Sequence, residues 1–180
     1  MKKSFLILPA LFLLGACAEP EPELPPVTPE AHSVKLTQEK SGLEGTTKTS
    51  PSTEEKVVEL SIEGKSEKYE VIMGTKLYNH ADHPQIVMLK DGYIKSKSQY
   101  TVDRLRIDYF SKQGTNFTVL DANNQEVTKH DSTVSPEYID DSGEGNEEVL
   151  EYPINGTSWT ITNTSDVKPS FYSITVIFTM

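Results

Sequence analysis

From Val57 to Met180 the apolar residues fall in short runs with a period of two. In Leu105-Arg106-Ile107-Asp108-Tyr109 the three apolar side chains share one face, while Arg104, Arg106 and Asp108 take the other. Trp159-Thr160-Ile161-Thr162 repeats the alternation, and Tyr172, Ile174, Val176 and Phe178 alternate with Ser173, Thr175 and Thr179. Such alternation marks half-buried strands. Further strands are expected over 57–62, 68–73, 86–89, 93–97, 117–120, 126–129 and 149–152. No stretch of ten or more residues carries a convincing helical period.

Turn signals separate these runs. Lys90-Asp91-Gly92 predicts a hairpin, and Gly114, Asn123-Asn124, Asn155-Gly156 and Lys168-Pro169 predict further turns. Many short strands with regular turns imply an all-β, antiparallel β-sandwich of jelly-roll type, with one wet and one buried face per sheet. Trp159, alternating with Ile161, belongs in its core.

The chain before Val57 reads differently. Residues 18–56 hold six of the eleven prolines, eight glutamates and no aromatic side chain. Proline fixes φ, and Glu19-Pro20-Glu21-Pro22-Glu23 adds charge repulsion, which favours an extended, solvated chain. Too few apolar groups lie here to offset ordering entropy. The expectation is a disordered tether over 17–56 and a folded domain over 57–180.

Residues 1–16 open with Lys2-Lys3 and an apolar run from Phe5 to Leu14, the pattern of a secretory signal. As a helix the run would be only ~15 Å long, too short for a ~30 Å hydrocarbon core. Leu14-Gly15-Ala16-Cys17 follows, and Cys17 is the only cysteine. These four residues resemble the bacterial lipobox. The resemblance implies cleavage after Ala16 and a diacylglycerol thioether on Cys17, whose thiol is the chain's best nucleophile. Two acyl chains give stable membrane residence. The implied location is the exported face of a bacterial cell envelope. Ala18 lacks an Asp that would signal retention at an inner membrane, so outer-membrane or surface placement is permitted.

A second resemblance rests on Gly92 to Val102, Leu105 to Tyr109, Phe117-Thr118-Val119, Ser158 to Asn163 and Tyr172 to Val176. Their hydrophobic spacing is similar to β-sandwich modules of bacterial surface proteins. That similarity implies a sugar-binding-like sandwich and brings no catalytic motif.

Charge narrows the partners. The net charge is -10, from 17 Lys and Arg against 27 Asp and Glu. With no cationic surplus to release counterions from phosphates, nucleic acid is excluded as a partner. One cysteine excludes an intramolecular disulfide framework and any CxxC zinc site.

The acidic excess is densest from Glu137 to Glu151, with seven acids and no Lys or Arg. Asp140, Ser142, Glu144, Glu148 and Glu151 fall at places 1, 3, 5, 9 and 12 of an EF-hand-like frame, with Gly145 at place 6. Those oxygens are the type calcium takes. Glu147 stands where an apolar residue is usual and neither flank is helical, so a solvated acidic loop is the plainer reading. His80, Asp82 and His83 lie before Pro84 and lack a third or fourth zinc ligand nearby. Of the three glycosylation-like sequons, at Asn116, Asn155 and Asn163, none has special standing in a bacterial chain. There is no GxSxG, no free thiol nucleophile and no phosphate loop.

Exposed rings are the remaining handle, since planar rings stack on sugar faces. Tyr93, Tyr100, Tyr138 and Tyr152 are the candidates. The chain therefore reads as a membrane-anchored envelope protein with a non-catalytic binding sandwich and no required cofactor beyond its lipid. The expected partner is a glycan or, as the alternative, an envelope or host protein bound in an adhesin-like or structural role, with a hydrolase behind both.

Overall fold

A computed structural model describes residues 30–111, 116–129, 131–134 and 146–180. It is all-β, and a short 3-10 turn at Gln38–Lys40 is the only helical element among the described residues. The strands are β1 (Ala31–Thr37), β2 (Lys56–Ser61), β3 (Lys68–Met73), β4 (Leu77–Asn79), β5 (Ile86–Met88), β6 (Tyr93–Ser111), β7 (Thr118–Leu120), β8 (Asp131–Val134), β9 (Asn146–Thr162) and β10 (Ser170–Thr179).

All ten belong to one antiparallel sheet that curls back on itself. The long strands β6 and β9 pair along most of their length and run through both halves of the curl. The first half of β6 pairs β3, which pairs β2, and the end of β9 pairs β7. The second half of β6 pairs β10, which pairs β1 and β5, and the start of β9 pairs β8. The register slips between Lys97 and Arg104, opposite Pro153 to Ser158, which is where both strands cross from one half to the other. Extra residues in a ladder bend the strand and increase its twist, so these bulges fold one sheet into a sandwich-like arrangement.

The alternation seen in the sequence fills the space between the halves, except that a register shift between Phe171 and Ser173 buries Phe171 in place of the expected Tyr172. Leu105, Ile107 and Tyr109 of β6, and Phe171, Ile174, Val176 and Phe178 of β10, are fully buried. The halves meet where Tyr69 of β3 packs on Phe178, with ring centroids 5.1 Å apart. Trp159 is buried beside them, and its Nε1 donates to the Tyr69 hydroxyl at 3.1 Å.

Several expectations are corrected. Among the described residues the first strand starts at Ala31, ahead of the expected Val57. His32, Val34 and Leu36 alternate with exposed Ala31, Ser33 and Lys35, and all seven residues of β1 pair along β10. Burying Val34 and Leu36 is worth about 1.5–3 kcal/mol each. Together with the ladder, this offsets an ordering entropy of about 1–2 kcal/mol per residue. Leu43 and Ser41 are buried as well, and Glu30 lies 3.5 Å from His32 and 3.6 Å from Lys65. The segment 31–56 is thus part of the domain.

Lys90-Asp91-Gly92 makes a tight turn, with Asp91 at φ 61° and the Gly92 N–H donating to the Leu89 carbonyl. It is not a hairpin, because β10 lies between β5 and β6. Asn155-Gly156 is not a turn either. It sits inside β9 at the crossing bulge, where Asn155 takes φ 49°. The expected runs 93–97 and 105–109 are one strand, as are 149–152 and 159–162. Of 126–129, only Glu126 is bridged, to Leu120.

Candidate functional site

A concavity lies at the end of the sandwich where β10 begins. It is a cleft of about 440 Å³ between two walls. That volume falls within the range of small-ligand sites.

One wall is the β7 hairpin. Asp121 Oδ1 accepts the N–H groups of Asn123 and Gln125 at 2.8 and 2.9 Å, and Asn124 adopts φ 58°. Asp and Asn are suited to this, since their short polar side chains bond locally and tolerate positive φ. The turn returns the chain so that Val127 N–H donates to the Val119 carbonyl, which places Glu126, Val127, Thr128 and Lys129 on the cleft.

The other wall is Thr164 and Ser165, held by Asn163. Asn163 is fully buried. Its Nδ2 donates to the Met88 carbonyl at 3.3 Å and to that of Val167 at 2.8 Å. Its Oδ1 accepts from Ser165 N–H and Oγ at 2.9 and 3.0 Å. Buried in this way, Asn163 is spent on structure and is not presented as a glycan acceptor.

Aromatic rings form the floor. Phe117 stands edge-on to Tyr109 and to Phe171, at 5.2 Å in each case, and 6.1 Å from Tyr152. The Tyr109 hydroxyl donates to Glu148 Oε2 at 3.0 Å. Burial pushes the Tyr152 phenol well above its ordinary value, helped by the nearby Tyr109, Glu126 and Glu148. Tyr152 therefore remains a neutral hydrogen-bond donor at any physiological pH. At the rim, both polar atoms of the Asn116 carboxamide are buried without a partner. An unpaired buried polar group costs roughly 1–3 kcal/mol, and a turn of this side chain into the cleft would let a hydroxylated ligand satisfy both atoms.

The buried phenols set an alkaline limit. Burial raises the phenols of Tyr69 and Tyr152 above the ordinary value of 10.0. The unfolded chain ionises near that value and the folded chain above it. Their contribution to stability is therefore complete below about pH 10 and is lost as pH rises through the folded values. Phenolate absorbance is expected to show a class of tyrosines that titrates only as the fold melts. A single early titration with the fold intact would contradict this.

The four candidate tyrosines separate. Tyr152 lines the cleft, but as a buried ring. Tyr93 is partly buried and contacted by Gly74 and Lys95. Gly74 packs so close that an added Cβ would lie 2.6 Å from the ring, and the Lys95 ammonium sits 4.9 Å from its centroid. Its hydroxyl donates to Glu55 at 2.5 Å, and Lys95 donates to the same oxygen at 2.6 Å. Lys95, and after it Tyr93, hold the Glu55 carboxyl below its usual range. Tyr100 is stacked on Phe178 at 5.3 Å. Tyr100 is only partly buried and lines a separate shallow groove with Lys68, Glu70 and Lys97. Tyr138 lies outside the described residues.

The calcium frame is not maintained by its last two places. Glu148 and Glu151 lie in the extended strand β9, where residues three apart face opposite ways. Glu148 turns inward to Tyr109, whereas Glu151 turns outward, 3.9 Å from Arg104. Asp140, Ser142 and Glu144 lie outside the described residues, as do Ala16 and Cys17. His80 and His83 pack 4.9 Å apart, and His80 Nδ1 accepts the Asp82 N–H, a local turn. Among the described residues no three His, Cys, Asp or Glu side chains are grouped to hold a metal.

Asn116, Phe117, Glu126 and Lys129 were not distinguishable in the sequence as site residues. The one available signal was the Asp121-to-Gln125 turn, which fixes where its flanks must meet. No protein-family model, curated protein or solved structure matches this chain.

Proposed function

We propose that this is a lipid-anchored protein of the bacterial envelope whose sandwich binds glycan noncovalently in the Phe117–Tyr152 cleft. The observation that carries the glycan reading is the combination at one site: an aromatic floor, the unpaired carboxamide of Asn116, and the charged side chains of Glu126 and Lys129 at the rim. Sugars present apolar C–H faces and dense hydroxyls, and a site for them needs both kinds of surface.

The chain's direction supports presentation away from a membrane. Ala31 pairs with Thr179 at one end of β10, whereas Phe171, under the cleft, lies eight residues back along that strand. At about 3.3 Å per residue this separates the cleft from the start of β1 by roughly 26 Å. A lipid at Cys17 would then tether the domain at its far end, through a segment at most about 50 Å long when fully extended.

Two experiments test the reading. Cys17→Ser is expected to move the protein from the membrane fraction to the soluble fraction, and retention in the membrane would remove the anchor from the account. On an array of envelope and host polysaccharides the protein is expected to bind at least one glycan. Asn116→Ala should weaken that binding about tenfold, equal to about 1.4 kcal/mol, without lowering Tm. Absence of any glycan binding would overturn the proposal, and cross-linking to a protein partner would then favour the adhesin-like alternative.

A further inference from the structure

A second polar site crosses the outer face of the sheet, on β1, β10 and β6. Lys35 pairs with Thr175, and Thr175 pairs in turn with Arg106. Ser173 pairs with Asp108 in the next row. These five side chains, with Ile177, line a shallow groove of about 470 Å³. Two strand spacings set the Lys35 and Arg106 backbones about 10 Å apart, within joint reach of one anion seated over Thr175.

The charges in this groove are not spent on one another. Glu151 is the direct cross-strand neighbour of Arg106, yet its carboxylate lies beside Arg104 at 3.9 Å. Among the described residues, neither Lys35 nor Arg106 has an ion pair or a side-chain hydrogen bond. Asp108 stands two residues from Arg106 on the same face, and its Oδ1 is buried with no partner. Two free cations ask for an oxyanion, and the carboxylate of Asp108, with one oxygen buried and unpaired, asks for a donor. A bare anion satisfies only the first and is repelled by Asp108.

We infer that this groove binds a sugar bearing a phosphate or carboxylate. The oxyanion lies between Lys35 and Arg106, and a neighbouring sugar hydroxyl donates to Asp108. Arg106 supplies a planar fork that matches two oxyanion oxygens, and Lys35 supplies a point charge. This site is separate from the cleft and lies on the opposite face of β10 and β6 from the core.

The test is a titration of the full chain in detergent, followed by backbone amide shifts, with galacturonate, glucose 6-phosphate, glucose and inorganic phosphate. The expected result is a saturable shift at Arg106, Ser173 and Thr175 with galacturonate or glucose 6-phosphate, and none with glucose. Lys35→Gln and Arg106→Gln should each weaken binding at least tenfold. Lys97→Gln, an equal charge change on another part of the surface, should leave it unchanged. The proposal is overturned if neither acidic sugar gives a saturable shift. It is equally overturned if Lys97→Gln weakens binding as much, or if inorganic phosphate alone binds as tightly as glucose 6-phosphate.

Discussion

Replacing Asn163 by Asp is expected to destabilise the fold by about 3 kcal/mol or more at neutral pH, although the two side chains have nearly the same shape. Asn163 is fully buried, and its amide nitrogen serves two carbonyls, those of Met88 and Val167. Aspartate would set a carboxylate oxygen against both, leaving two acceptors unpaired and a charge in the interior. Its other oxygen would still accept from Ser165, so the loss is specific to the donor side. The penalty should shrink as the new carboxyl is protonated. Chemical denaturation at neutral and acidic pH checks this, and a variant as stable as the parent at neutral pH would contradict it. Because the same side chain holds Ser165 against the cleft, a destabilised variant should also lose ligand.

Trp159→Ala is expected to cost about 3–5 kcal/mol, the usual range for removing a large buried ring. Trp159 is only 1% exposed, and it supports the place where Tyr69 and Phe178 join the two halves of the sheet. Against a typical domain stability of about 5–15 kcal/mol, that is a large share. Tyr69→Phe separates the hydrogen bond from the packing. It keeps the ring but removes the acceptor for the Trp159 N–H, and should cost about 1–3 kcal/mol. Denaturation midpoints for the two variants should fall in that order. Equal losses would mean that the hydrogen bond, not the ring, secures the junction.

The strands were legible where alternation was clean. The run 68–73 matches β3 residue for residue, and Tyr172 to Phe178 lies inside β10. The first strand was hidden by its neighbourhood. His32-Ser33-Val34-Lys35-Leu36 alternates as well as any other segment, but it stands among prolines and glutamates whose composition suggested a solvated chain. What made it fold was a free edge of β10, and a partner distant in sequence is not visible in a local pattern. The bulge at Asn155-Gly156 was misleading for a related reason: the same positive φ serves a hairpin turn or a bend within a long strand. Tyr93, Tyr100 and Tyr152 were equivalent as letters. Only packing distinguishes a ring contacted by Gly74 and Lys95 from one that floors a cleft. Asn116 carried no signal, because what sets it apart is the absence of partners for a buried carboxamide.

The central claim is that the cleft beside Phe117 and Tyr152 takes the glycan. Titration of the tightest-binding oligosaccharide, followed by amide shifts, tests this most directly. The account predicts that the Asn116 carboxamide and the backbone amides of Phe117, Glu126, Lys129 and Ser165 shift together along one saturation curve. Saturable shifts confined to other parts of the surface, with these five unmoved, would contradict it.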